Sequence, residues 1–92
     1  MPEKQPISKH KTTAEFWDYF HQLPIEVQGL ASKDYDLLKM DARHPSLQFK
    51  KVGKLWSVRV GLEHRALATA IPEGYLWIWI GRHDEYDKIL KG

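Results

Sequence analysis

The stretch WSVRVGLEHRALATAIPEGYLWIWI, residues 56–80, reads as three successive strands. Within it, Trp56 to Val60, Arg65 to Ile71 and Tyr75 to Ile80 are rich in β-branched and aromatic residues, and Gly61 and Pro72-Glu73-Gly74 punctuate them. Strands joined by connections this short are antiparallel, because a parallel pair needs a crossover of about a dozen residues. Ala66, Ala68 and Ala70 alternate along the middle strand and offer a small-residue face to an approaching helix. Alternation also predicts that Trp77 and Trp79 share one face of the last strand. Arg59 and Arg65 flank the first loop. A two-residue loop pairs Arg59 with Ala66 and sends Arg65 to the opposite face, whereas a one-residue register change or a bulge near Gly61 brings both arginines together.

Upstream the period changes from 2 to 3.6. Thr12 followed by Glu15 reads as a capping box, and Phe16, Tyr19, Phe20 and Leu23 repeat at helical spacing. Pro24 ends that helix and is tolerated early in a second, whose apolar stripe is Val27, Leu30, Ala31, Tyr35 and Leu38. His44-Pro45 closes it, since the residue before proline avoids the helical region. The expectation is a helical hairpin of about 10 and about 18 residues covering one side of the sheet. Lys9 to Thr12 can form a short edge strand, and residues 1–8 read as a flexible start. The fold class is therefore α+β: an N-terminal helical hairpin packed on a small antiparallel sheet, one domain over 1–92.

The 92 residues leave no room for a second domain. Without cysteine there is no disulfide framework, thiolate metal site or cysteine nucleophile. The longest apolar run, Tyr75 to Ile80, is far short of a membrane span, and Met1 to Lys11 has no signal-peptide pattern, so a cytoplasmic protein without membrane contact is expected.

The net charge of +2 conceals a partition. Residues 12–42 sum to −4, whereas residues 43–65 sum to +5, with Arg43, Lys50, Lys51, Lys54, Arg59 and Arg65 against Glu63 alone. Such a block suits a polyanion, although it equally describes solvated strand edges. No phosphate loop, nucleophile elbow or zinc-protease motif is present. No two of the five histidines are closer than 11 residues, so none share a helical turn; neither a metal nor a cofactor is expected. Candidates for chemistry remain: Arg59 and Arg65, either exposed strand cations or a phosphate clamp, and histidine as a proton-transfer group, although His83 after the last strand reads by itself as a surface or capping residue. Tyr86 reads as a core anchor for the tail.

The strings F-x-x-L-P-x-x-V-Q (20–28), HPSLQFKKV (44–52), WSVRVGLEHRALA (56–68) and IGRHDEYDKIL (80–90) together resemble the RelE/ParE superfamily of type II toxin–antitoxin toxins, over about Thr12 to Leu90. The resemblance implies a helical hairpin on a small antiparallel sheet, and either of two activities. RelE-like and YafQ-like members cleave mRNA, usually on the ribosome; ParE-like members inhibit DNA gyrase. Arg65 matches a phosphate-contacting arginine of RelE-like toxins, and Arg59 a basic strand position. His83 is similar to the catalytic histidine of the YafQ-like branch, and His44 to a second histidine there. The departures are Ser57 in place of a strand lysine, His83 in place of an arginine, Tyr86 nearer to the strand than the RelE-like tyrosine, and no counterpart around His64 of the His-containing loop of the YafQ-like branch. The implied reading is a metal-independent endoribonuclease. His83, Arg65, Arg59, His44 and Tyr86 are catalytic in it, and Lys50, Lys51, Lys54 and Arg43 hold RNA. A cognate antitoxin and the ribosome are its partners. The alternatives are a gyrase inhibitor, a relative that only binds its antitoxin, and a generic nucleic-acid module.

Overall fold

A computed structural model describes residues 9–91; the expected flexible start at 1–8 lies outside them. In chain order the elements are β1 (Lys9–Thr12), α1 (Ala14–His21), α2 (Ile25–Met40), a 3-10 turn (Pro45–Leu47), β2 (Lys50–Val52), β3 (Leu55–Val60), β4 (His64–Ile71), β5 (Gly74–Arg82) and α3 (His83–Lys91). The sheet order is β1-β5-β4-β3-β2. Strands β2 to β5 form the expected antiparallel meander, extended by one hairpin at its start. Strand β1 joins the far edge parallel to β5, which makes the sheet mixed. Parallel pairing is possible there because both helices and three strands intervene as the crossover.

Local chemistry explains the boundaries. The N-cap of α1 is Thr13, whose hydroxyl accepts from the Phe16 amide at 3.1 Å. Thr12 instead accepts from Trp17 Nε1 at 2.8 Å, so the Thr12–Glu15 capping box does not form: Thr12 is held in β1 beside Trp77. Pro24 caps α2 from outside. That helix stops at Met40, four residues before the His44-Pro45 pair, and His44 caps the 3-10 turn. Gly53 at φ 63° makes the Gly53-Lys54 turn that lets β2 fold back on β3. A side chain at Gly74 would meet the Lys9 backbone, so only glycine lets β1 dock there.

Two cores lie on the two faces. The helices cover one: Ala31, Leu38, Leu47, Val58, Val60, Ala66, Ala68, Trp77 and Ile80 are buried together, with α1 over β5 and α2 over β3. Ala70, at the far end of the small-residue stripe, is exposed. On the other face α3 packs Tyr86 onto Leu67 and Trp79, joined by Leu55, Ile78 and Leu90. The expectation that both indoles share a face fails because a bulge interrupts the β4–β5 ladder. Leu67 pairs with Trp79 but Ala68 with Trp77, leaving Ile78 as the extra residue. One additional residue reverses the alternation beyond it.

Near β1, the His10 ring stacks on Tyr75 and its Nδ1 accepts a hydrogen bond from Trp77 Nε1 at 3.1 Å. Burial, and then Lys39, holds its pKa below the usual 6.5. Burial and Arg82 depress His64 likewise. The unfolded chain therefore takes up protons near pH 6.5 that these native histidines refuse, and stability falls as pH drops below about 6.5. Asp34, raised by burial, acts in the opposite sense, since its native carboxyl keeps its proton to higher pH than the unfolded one. Urea unfolding at pH 7.5 and 5.5 is expected to give the lower midpoint at pH 5.5. The difference should shrink in His10→Gln; an equal difference in both proteins contradicts the assignment to His10.

Candidate functional site

The loop between β3 and β4 has three residues, Gly61, Leu62 and Glu63, with Gly61 at φ 62°. The odd count resolves the two registers open from sequence: Val60 pairs with His64, and Arg59 lies directly opposite Arg65. Both point to the face that carries Ser57, Leu67 and α3. Like charges opposite one another in a ladder repel, so this pair is an electrostatic cost to the fold. Nothing neutralises it: among the described residues no carboxylate lies within ion-pair distance of either guanidinium. Arg59 Nε donates to the Gly61 carbonyl at 2.9 Å, and Arg65 donates to the His64 carbonyl at 2.9 Å. These single neutral contacts orient the two groups and leave most of their donors free.

Helix α3 completes the cluster. Tyr86 is buried against Leu67 and Trp79, and the Arg65 guanidinium carbon lies 5.8 Å from the centre of its ring. The His83 ring centre is 6.0 Å from that of Tyr86 on the same helix, and its backbone amide donates to the Glu63 carbonyl at 2.7 Å. Arg65 and His83 therefore flank one tyrosine on one side of the sheet. His83 is half-exposed, with Nδ1 at 3.6 Å from Asp87 Oδ2. Arg82 reaches Glu63 at 3.4 Å and Asp84 at 3.5 Å, tying the β3–β4 loop to the start of α3.

The remaining candidates are dispersed. Lys50 pairs with Ser57 and so shares the face of the arginines, whereas Lys51 pairs with Trp56 and faces the helices. Lys54 lies in the β2–β3 turn, and Arg43 in the exposed loop after α2. His44 stays with that loop. Its Nδ1 accepts from the Ser46 amide at 3.2 Å and lies 2.9 Å from the Ser46 hydroxyl. Neighbours Ala42, Leu47 and Phe49 pack into the helix-side core, and no hydrogen bond, ion pair or ring contact among the described residues joins His44 to the arginines.

Glu63, Arg82 and Asp87 adjoin the cluster although none is among the residues that the sequence singles out for chemistry. The spacing of His83 and Asp87 was a usable signal, but only for a tail read as helix. A cavity of about 90 Å³ lies away from this cluster, between α1, α2 and the sheet, with an apolar lining that includes Phe16, Ala31, Leu38 and Ala66. It offers little polar chemistry, so the arginine face is the candidate site. Two opposed, unpaired guanidiniums with an imidazole across a tyrosine can bind a tetrahedral or trigonal-bipyramidal oxyanion and exchange a proton with it.

No protein-family model and no curated protein matches the sequence. Solved structures do. The RelB–RelE antitoxin–toxin complex from Methanococcus jannaschii gives a TM-score of 0.68 at 10% identity, covering 86% of this chain and 96% of that one. A YoeB/ParE toxin from Agrobacterium tumefaciens gives 0.61 at 15% identity, covering 82% and 98%. The isolated RelE toxin of E. coli gives 0.59 at 12% identity, covering 89% and 94%. At such identities the likeness establishes a shared fold.

Proposed function

From a chain with the RelE/ParE toxin fold, we propose a type II toxin that cleaves mRNA on the ribosome by metal-independent transphosphorylation. The observation that carries this reading is the Arg59–Arg65 pair, adjacent, unneutralised and beside Tyr86 and His83. A fold tolerates opposed like charges when an anion relieves them on binding. The RNA 2′-oxygen attacks the adjacent phosphorus, the bond to the 5′-oxygen breaks, and the products are a 2′,3′-cyclic phosphate and a 5′-hydroxyl. One proton leaves the 2′-hydroxyl and one reaches the departing oxygen. His83 performs one of these transfers, and the arginines stabilise the doubly charged phosphorane. Tyr86 holds Arg65 in place, Lys50, Lys54 and Arg43 contact the RNA backbone, and His44 is at most peripheral. No step requires a metal, because the guanidiniums supply the cations.

A toxin of this kind needs a cognate antitoxin in the same cytoplasm. Solved structures of similar fold include complexes with RelB, among them those from Methanococcus jannaschii and E. coli. An antitoxin for this chain would mask the arginines with acidic side chains.

The test adds the purified protein to translating ribosomes and maps mRNA 5′ ends. New ends bearing 5′-hydroxyls are expected. Intact message, with double-strand DNA breaks in cells that express the protein, overturns the assignment in favour of gyrase inhibition.

A further inference from the structure

We propose that Asp87 is a positioning residue for His83, holding the neutral imidazole in the Nδ1–H tautomer so that Nε2 faces the RNA as the proton-transfer atom. The inference rests on the reading of His83 given above and adds to it a residue that the fold resemblance does not supply.

Four observations converge on it. First, His83 and Asp87 stand one turn apart on α3, the spacing at which two side chains on a helix meet. Second, burial of Tyr86 against Leu67 and Trp79 fixes the rotation of α3, so this row of side chains cannot swing away from the arginine face. Third, the charged groups adjoining His83 in sequence, on the β3–β4 loop and across Tyr86 have other partners. Asp84 lies on Arg82 and accepts from the Glu85 amide at 3.0 Å, Glu63 lies on Arg82, and Arg65 lies over Tyr86. Among the described residues the only ion pair of Asp87 is with His83; Lys91, one turn further on, makes none with it. Fourth, helix stability does not explain a carboxylate there. Asp87 is past the first turn of a nine-residue helix, where the macrodipole no longer favours negative charge, and Asp is a weak helix former.

The Nδ1–Oδ2 separation of 3.6 Å is that of an ion pair, slightly too long for a hydrogen bond. Both side chains are half-exposed, and a small rotation closes the gap, as catalytic contacts commonly do once substrate is bound. An acceptor at Nδ1 settles which nitrogen carries the proton. Nε2 is then left with a lone pair when the ring is neutral and with the mobile proton when it is charged, which are the two states that acid–base exchange with RNA needs.

Nitrogen-15 imidazole NMR of the full chain at alkaline pH reads the tautomer directly. The wild-type protein is expected to show His83 as Nδ1–H, and Asp87→Ala as Nε2–H, the form an unpartnered imidazole prefers. Asp87→Ala should lower the rate of RNA cleavage about tenfold, while its thermal midpoint is unchanged or raised, because alanine favours helix. Asp87→Glu keeps a carboxylate within reach and should restore both tautomer and rate. An Nε2–H tautomer in the wild type, or an unchanged cleavage rate in Asp87→Ala, overturns the proposal. Failure of the parent reading looks different: the wild type would then leave message intact, or His83→Gln would cleave RNA like the wild type, whatever the tautomer of His83.

Discussion

Alanine at Arg65 is expected to lower RNA cleavage by about 10²–10³-fold, the loss typical of removing one donor to a developing oxyanion, while leaving the fold intact. The geometry separates these two effects. Arg65 contributes one hydrogen bond to a neighbouring carbonyl and one cation–ring contact, and it stands opposite Arg59 without a counter-ion. Losing the ring contact costs about 0.5–1 kcal/mol at a partly exposed site. Relief of repulsion from Arg59 returns a similar amount. Stability should therefore stay within about 1 kcal/mol of wild type, with activity nearly abolished. Arg65→Lys keeps the charge but not the planar fork, and should recover only part of the rate. Cleavage of a translated message and urea unfolding, measured on the same preparations, check both halves. An Arg65→Ala protein that cleaves normally removes Arg65 from the chemistry.

The largest effect on folding is expected at Trp77. It is 3% exposed in the middle of β5, with Ala68 beside it on β4 and Thr12 on β1. Its indole donates to His10, and its carbonyl accepts from the Thr13 amide at 3.1 Å. Trp77→Ala should cost about 3–5 kcal/mol through lost transfer energy and the cavity left behind. Small domains are held by only about 5–15 kcal/mol in total, so a large share of stability disappears with one side chain. It also strips the His10 ring of a partner and loosens the junction from which α1 starts. Urea unfolding gives the number; a loss below about 1 kcal/mol would mean that the helix-side core does not depend on this indole.

Trp77 also shows where sequence reading reaches its limit. Its pattern and that of Trp79 are identical in the string LWIWI, and simple alternation assigns them one role. The bulge at Ile78 gives one to the helix-side core and the other to the seat of α3. A bulge arises from packing across strands and leaves no local mark. Strand β2 was missed for a different reason. Three residues rich in lysine have little strand propensity, and pairing with β3 through the Gly53-Lys54 turn supplies the stabilisation. Helix α3 is not legible because the tail is mostly polar: Tyr86 stands out as an anchor, but it and Leu90 make too few apolar positions for a helical stripe until a sheet face meets them.

The α+β class, the helical hairpin before the meander, and the segregation of an acidic hairpin from a basic start of the sheet are all legible along the chain. Each follows from local periodicity, turn residues and charge, which a linear reading contains. The folded packing sends β1 back parallel to β5 and parts the two tryptophans. It also sets Arg59 against Arg65 across a three-residue loop, and brings His83 and Tyr86 of α3 beside them while His44 stays with its loop. These depend on register and on which face a side chain enters, and a shift of one residue reverses them at no cost to any local signal. The candidate site consists almost wholly of such decisions.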